Sequence, residues 1–142
     1  MKDILVLHGP NLNFLGIREP AIYGRETLED LENLLKKAGE ERACHLHFFQ
    51  SNHEGDLIDR LQAAYGNIDG ILVNPGALTH YSYALLDALT SVQIPYVEVH
   101  ISAIEKRESF RRHSVTAAGA KALVSGKGFP GYIEALDILL NE

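Results

Sequence analysis

Five short strand-like runs alternate with stretches of helical period along this chain, and nothing else in it limits the fold as sharply. The runs cover residues 4–7, 43–50, 71–73, 94–99 and 122–124. They are brief and mostly apolar, as strands buried in a sheet are. Leu28, Leu31, Leu34, Leu35 and Ala38 repeat at helical spacing behind Thr27-Leu28-Glu29-Asp30, a capping box with Asp30 in the acidic place, and Gly39 is the expected stop. Ser51-Asn52-His53-Glu54 forms a second box ahead of Leu57, Ile58, Leu61, Ala64 and Tyr65. A third helical stretch covers 83–92, and Pro130 is placed to open a last one through Ile133, Leu136, Leu139 and Leu140. Residues 101–121 are mixed in pattern, with a short helix expected near 105–112.

Strands separated by helices pair in parallel, and a parallel sheet needs cover on both faces. With right-handed crossovers, this spacing predicts a flavodoxin-like α/β three-layer sandwich, its five-stranded parallel sheet in the order 2-1-3-4-5. No repeat, linker or low-complexity segment divides the 142 residues, so one domain over 1–142 is expected.

In such sheets ligands bind beyond the carboxyl ends of the strands, near the point where strand order reverses. Strand 1 ends in Gly9-Pro10-Asn11-Leu12-Asn13, strand 3 in Asn74-Pro75-Gly76-Ala77 followed by Thr79-His80, and strand 4 in Glu98-Val99-His100-Ile101-Ser102. The loop after strand 1 runs to Thr27 and carries Arg18, Glu19 and Tyr23, far longer than the ~2–6 residues usual for a plain connection. Arg107 and Arg111 are four apart, hence on one face if their segment is helical.

Absences narrow the chemistry further. There is no Walker A loop, G-x-G-x-x-G or nucleophile elbow, and no lysine at a predicted strand end, which argues against nucleotide binding, acyl transfer and a Schiff base. Metal binding by Glu98, His80 and His100 is conceivable but lacks a supporting spacing. A phospho-receiver would need an acidic cluster after strand 1, and a flavin binder a Ser/Thr/Gly-rich loop there; His8-Gly9-Pro10 is neither. A net charge of −6 without a Lys/Arg tract points to no nucleic-acid or membrane partner. One cysteine, Cys44, and no signal-peptide pattern fit a cytoplasmic protein.

Four blocks of sequence resemble one family nearly end to end: GPNLNFLGIREPAIYG at 9–24, QSNHEGDLID at 50–59, NPGALTH at 74–80, and VEVHIS at 97–102 leading to RESFRRHS at 107–114. They are similar to the type II 3-dehydroquinate dehydratases of the shikimate pathway. That resemblance implies a cofactor-free lyase converting 3-dehydroquinate to 3-dehydroshikimate, and a homododecamer built from trimers. It implies Tyr23 as a phenolate base beside Arg18, Asn11 stabilising an enolate, and His100 protonating the leaving hydroxyl with Glu98 orienting its neighbours. Asn74 and the Ile101 and Ser102 amides would hold the substrate carboxylate, and His80 and Arg111 its ring hydroxyls. Asp87 would approach a neighbouring subunit's site, and residues 17–25 would form a mobile lid. Ala103, Glu105, Leu86 and Tyr81 depart from the family's usual residues, at positions outside this catalytic set.

Overall fold

The computed structural model describes residues 1–17, 21 and 25–141. Five strands, β1 (Lys2–His8), β2 (Cys44–Gln50), β3 (Gly70–Asn74), β4 (Tyr96–His100) and β5 (Ala122–Ser125), form one all-parallel sheet in the order β2-β1-β3-β4-β5. The α-helices are α1 (Leu28–Glu41), α2 (Glu54–Ala64), α3 (Tyr83–Ser91) and α4 (Pro130–Leu140). The flavodoxin-like expectation holds, strand order included.

The two-residue period of a strand explains how both faces are covered. Ile4 and Val6 point to one side with Leu72, Val97 and Val99, where Leu31 and Leu35 of α1 and Leu136 of α4 pack on them. Leu5, Leu7, Ile71 and Val73 point to the other, under Leu57 and Leu61 of α2 and Leu85 and Leu89 of α3. Cys44 is a buried, free thiol in the first of these layers. Among the described residues no helix is long and apolar enough to cross a membrane.

Local signals succeed where side chains meet their own backbone. The Thr27 hydroxyl accepts from Asp30 N at 3.1 Å and the Asp30 carboxylate accepts from Thr27 N at 2.9 Å, completing the first capping box. The second box does not form. α2 starts after His53, Ser51 Oγ accepts from His53 N and donates to Asp56, and Glu54 instead accepts from Ser82 Oγ. Gly39 does not end α1 either: the helix continues to Glu41, and Gly39 is buried where a Cβ would lie 3.1 Å from Cys44 O. Leu34, placed on the apolar face by spacing, is exposed. The helix expected near 105–112 is two separate 3-10 turns, Ile104–Lys106 and Ser109–Arg111.

Candidate active site

Strand register sets the floor of the site. Gln50, His8 and Asn74 stand side by side at the carboxyl edge, since His8 pairs with both of the others. Just beyond, the chains of β1 and β3 come so close that a Cβ on Gly9 would sit 2.2 Å from Pro75 O. Gly76, at φ +62°, likewise leaves no room for a side chain, with Pro10 O 2.9 Å from where a Cβ would be. Only glycine tolerates both demands. Asn11 follows in the left-handed region at φ 70°, which asparagine accepts better than most residues. Its backbone N–H donates to Asn52 Oδ1 at 2.9 Å, and Gln50 Nε2 donates to Gly9 O at 3.2 Å. Gln50 and Asn52, given no role by the sequence reading, therefore brace the loop that carries Asn11.

Above this floor lies an open cleft lined by polar and charged side chains. Asn11, Asn74, His80, His100, Ile101, Ser102 and Arg111 all line it. Seven of the expected site residues, drawn from three strand ends and the segment after β4, thus meet in one place. Arg107 lines it too, although its segment is not a continuous helix. Glu98 lies directly behind His100, and Asp87 is exposed on α3 away from the lining. Arg18 and Tyr23, with most of the expected 17–25 lid, lie outside the described residues.

Glu98 is a fully buried carboxylate, which is costly unless its oxygens are hydrogen-bonded. Oε2 accepts from His100 Nε2 at 2.8 Å, from Thr79 Oγ1 at 2.7 Å and from Ser114 Oγ at 2.6 Å, and Oε1 accepts from Thr116 Oγ1. Burial alone would push the Glu98 carboxyl up; the bonds from His100, Ser114 and Thr116 outweigh it and hold it below the ordinary carboxylate range. A carboxylate only accepts, so His100 carries a proton on Nε2 and its Nδ1 is the ring atom left to meet a ligand. His80 is oriented by the same logic: its Nδ1 donates to the His113 carbonyl at 2.7 Å, leaving Nε2 to act. Spacing gave no sign of Thr79, Ser114 and Thr116, because hydroxyl residues are common in loops. His113, without an assignment from the sequence, contributes its backbone oxygen.

The turn after β4 is fastened by its carbonyls. Ile101 O accepts from Gly128 N at 3.1 Å and Ser102 O from Ser125 Oγ at 3.2 Å. Positive charge comes from Arg107 and Arg111; Arg111 Nε is 3.1 Å from Glu108 Oε2, an ion pair without hydrogen-bond alignment. His45 and His47 lie exposed on β2, and His47 meets Asp3 at 3.0 Å. Among the described residues no three His, Cys, Asp or Glu side chains stand close enough to hold a metal ion.

The chain is similar to known proteins over nearly its whole length. Residues 2–140 match the family described as Dehydroquinase class II. The 3-dehydroquinate dehydratase of Bacillus pumilus is 54% identical over 142 residues, covering 100% of this chain and 97% of that one. The crystal structure of a type II dehydroquinase from Butyrivibrio crossotus superposes with a TM-score of 0.97 at 51% identity, covering 99% and 98% of the two chains. That of a type II dehydroquinase from Propionibacterium acnes gives 0.94 at 41% identity, covering 98% and 96%.

Proposed function

This chain belongs to the class II dehydroquinases, and on that premise we propose that it dehydrates 3-dehydroquinate to 3-dehydroshikimate in the shikimate pathway. The observation that carries the reading is His100, backed by the buried Glu98 carboxylate, in one cleft with Asn11, Asn74 and His80. Removing a proton beside a ketone needs a base and donors for the developing oxyanion. Tyr23 is the base. A phenol normally titrates near ~10, and Arg18 supplies the cation that lets it ionise near neutrality. The C–H electron pair passes into the ring as an enolate, whose oxygen Asn11 stabilises through an ordered water. The enolate then expels the ring hydroxyl, which takes a proton from Nδ1 of a doubly protonated His100 and leaves as water while the conjugated double bond forms; the ring is left neutral, with its Nε2 proton still donated to Glu98.

Asn74 and the backbone N–H groups of Ile101 and Ser102 hold the substrate carboxylate, and His80 and Arg111 its hydroxyls. No cofactor takes part in this scheme. The same reading makes the protein a homo-oligomer, a dodecamer of trimers in which the exposed Asp87 reaches a neighbour's cleft, within one catalytic domain over 1–142. Purified protein mixed with 3-dehydroquinate should generate the ultraviolet absorbance of a conjugated enone. No absorbance change across pH 6–9 would overturn the assignment.

A further inference from the structure

The carboxyl edge of the sheet contains a hydrogen-bond chain whose proton positions can be worked out from one backbone amide. Gly76 N donates to the Asn74 side chain at 3.1 Å, and a backbone N–H can only donate. The atom facing it is therefore Oδ1, so the Asn74 amide cannot be flipped. Its Nδ2 then faces the Tyr132 hydroxyl at 2.9 Å and donates to it. The hydroxyl proton goes to His8 Nε2, 3.0 Å away. His8 is thus neutral, as burial requires, with its proton on Nδ1, a buried atom without a hydrogen-bond partner among the described residues. All three side chains are 5% exposed or less. Tyr132 comes from the first turn of α4, 58 residues beyond Asn74, and its partners arrive together because His8 and Asn74 are register neighbours pointing to the α4 face.

We propose that Tyr132, with His8 behind it, is a positioning residue that holds the Asn74 amide with one N–H committed inward and the other presented to the carboxylate of the bound substrate. This rests on the reading of Asn74 as a carboxylate ligand. Reversing the amide would set Nδ2 against Gly76 N–H, donor against donor, so the relay opposes rotation from one end while Gly76 opposes it from the other. Tyr132 touches neither substrate nor reacting atoms. Its effect passes through binding rather than through proton transfer.

The test is a double-mutant cycle read by steady-state kinetics of enone formation. Tyr132→Phe keeps the ring and removes the relay; KM for 3-dehydroquinate should rise about tenfold while kcat stays within about twofold. Asn74→Ala should raise KM at least as much, and adding Tyr132→Phe to it should change nothing further. His8→Leu, with the Tyr132 hydroxyl retained but its acceptor removed, approaches from the other end and should raise KM in the same direction, again only when Asn74 is present. Thermal melts identify any variant that does not fold, and either single variant suffices. A raised KM in Asn74→Ala with none in Tyr132→Phe or His8→Leu overturns the relay alone. An unchanged KM in Asn74→Ala overturns the carboxylate reading of Asn74 and the relay with it. Equal KM effects of Tyr132→Phe with and without Asn74 would make Tyr132 merely structural.

Discussion

His100 Nε2 lies 2.8 Å from Glu98 Oε2, and that carboxylate is 0% exposed, its remaining hydrogen bonds coming from hydroxyls. A buried negative charge with no arginine or lysine paired to it among the described residues survives by accepting hydrogen bonds, and here those bonds also decide which imidazole nitrogen faces the cleft. Glu98→Gln removes the charge with little change in shape and puts an NH2 group among donors. It should lower kcat by at least about 10²-fold, the lower range of a general acid's contribution, with KM within about threefold. Near-normal turnover would show that the histidine does not depend on this partner.

Thr116→Val deletes the hydroxyl that donates to Glu98 Oε1 while preserving volume. An unsatisfied buried polar atom costs roughly 1–3 kcal/mol, more when charged, so urea unfolding should show a loss of at least about 2 kcal/mol. An unchanged midpoint would mean that the carboxylate is satisfied without it.

The base is tested by Tyr23→Phe, which should lower kcat by orders of magnitude and leave ligand affinity within about tenfold, or roughly 1.4 kcal/mol. Arg18→Ala should move the basic-side requirement of the pH profile upward, because losing a cation raises a phenol's pKa. Efficient turnover by Tyr23→Phe would remove the phenolate from the scheme. Chelators, and borohydride with substrate present, should leave activity unchanged; a borohydride-trapped lysine adduct would refute the imine-free route.

Acid sensitivity should trace partly to His8, whose burial brings it down to about 4 from the ordinary histidine range. The unfolded chain takes up this proton near ~6.5 and the folded one near about 4. The stability His8 retains as a neutral ring is therefore whole above ~6.5 and is lost as pH falls toward 4, up to roughly 3 kcal/mol. Glu98, held below its ordinary range, acts in the same sense at still lower pH, as it takes up a proton. Urea midpoints between pH 8 and 4.5 should fall less steeply for His8→Gln than for the unaltered protein. Parallel curves would remove His8 from the account.

Gly9→Ala forces a Cβ to 2.2 Å from the Pro75 carbonyl, so the β1 and β3 loops must part. A loss of at least about 2 kcal/mol and weaker substrate binding should follow. Gly55→Ala is the contrast. Nothing lies within 4 Å of its Cβ position on α2, and relief of backbone entropy should stabilise it by about 0.5–1 kcal/mol. Equal destabilisation by the two would mean that close approach is not what Gly9 provides.

Much of this architecture is legible in the chain because its causes are local. Periods of two and 3.6 residues, the Thr27–Asp30 box and Pro130 each act over a few residues, and sheet topology follows once strands and helices alternate. Because ligands bind at strand ends in such sheets, Asn11, Asn74, His80 and His100 could be picked out by position alone. Other features depend on contacts that no window of sequence contains. Glu54 leaves its expected box for Ser82, 28 residues away, and Gly39 packs on β2 instead of ending a helix. The hydroxyls on Glu98 and the Tyr132 relay join residues up to 124 positions apart. Sequence determined which elements form and which chemical groups their ends carry, since those depend on backbone preference and burial. Tertiary structure alone decided which polar atoms pair inside, because a buried donor or acceptor takes whatever partner the fold brings within about 3 Å.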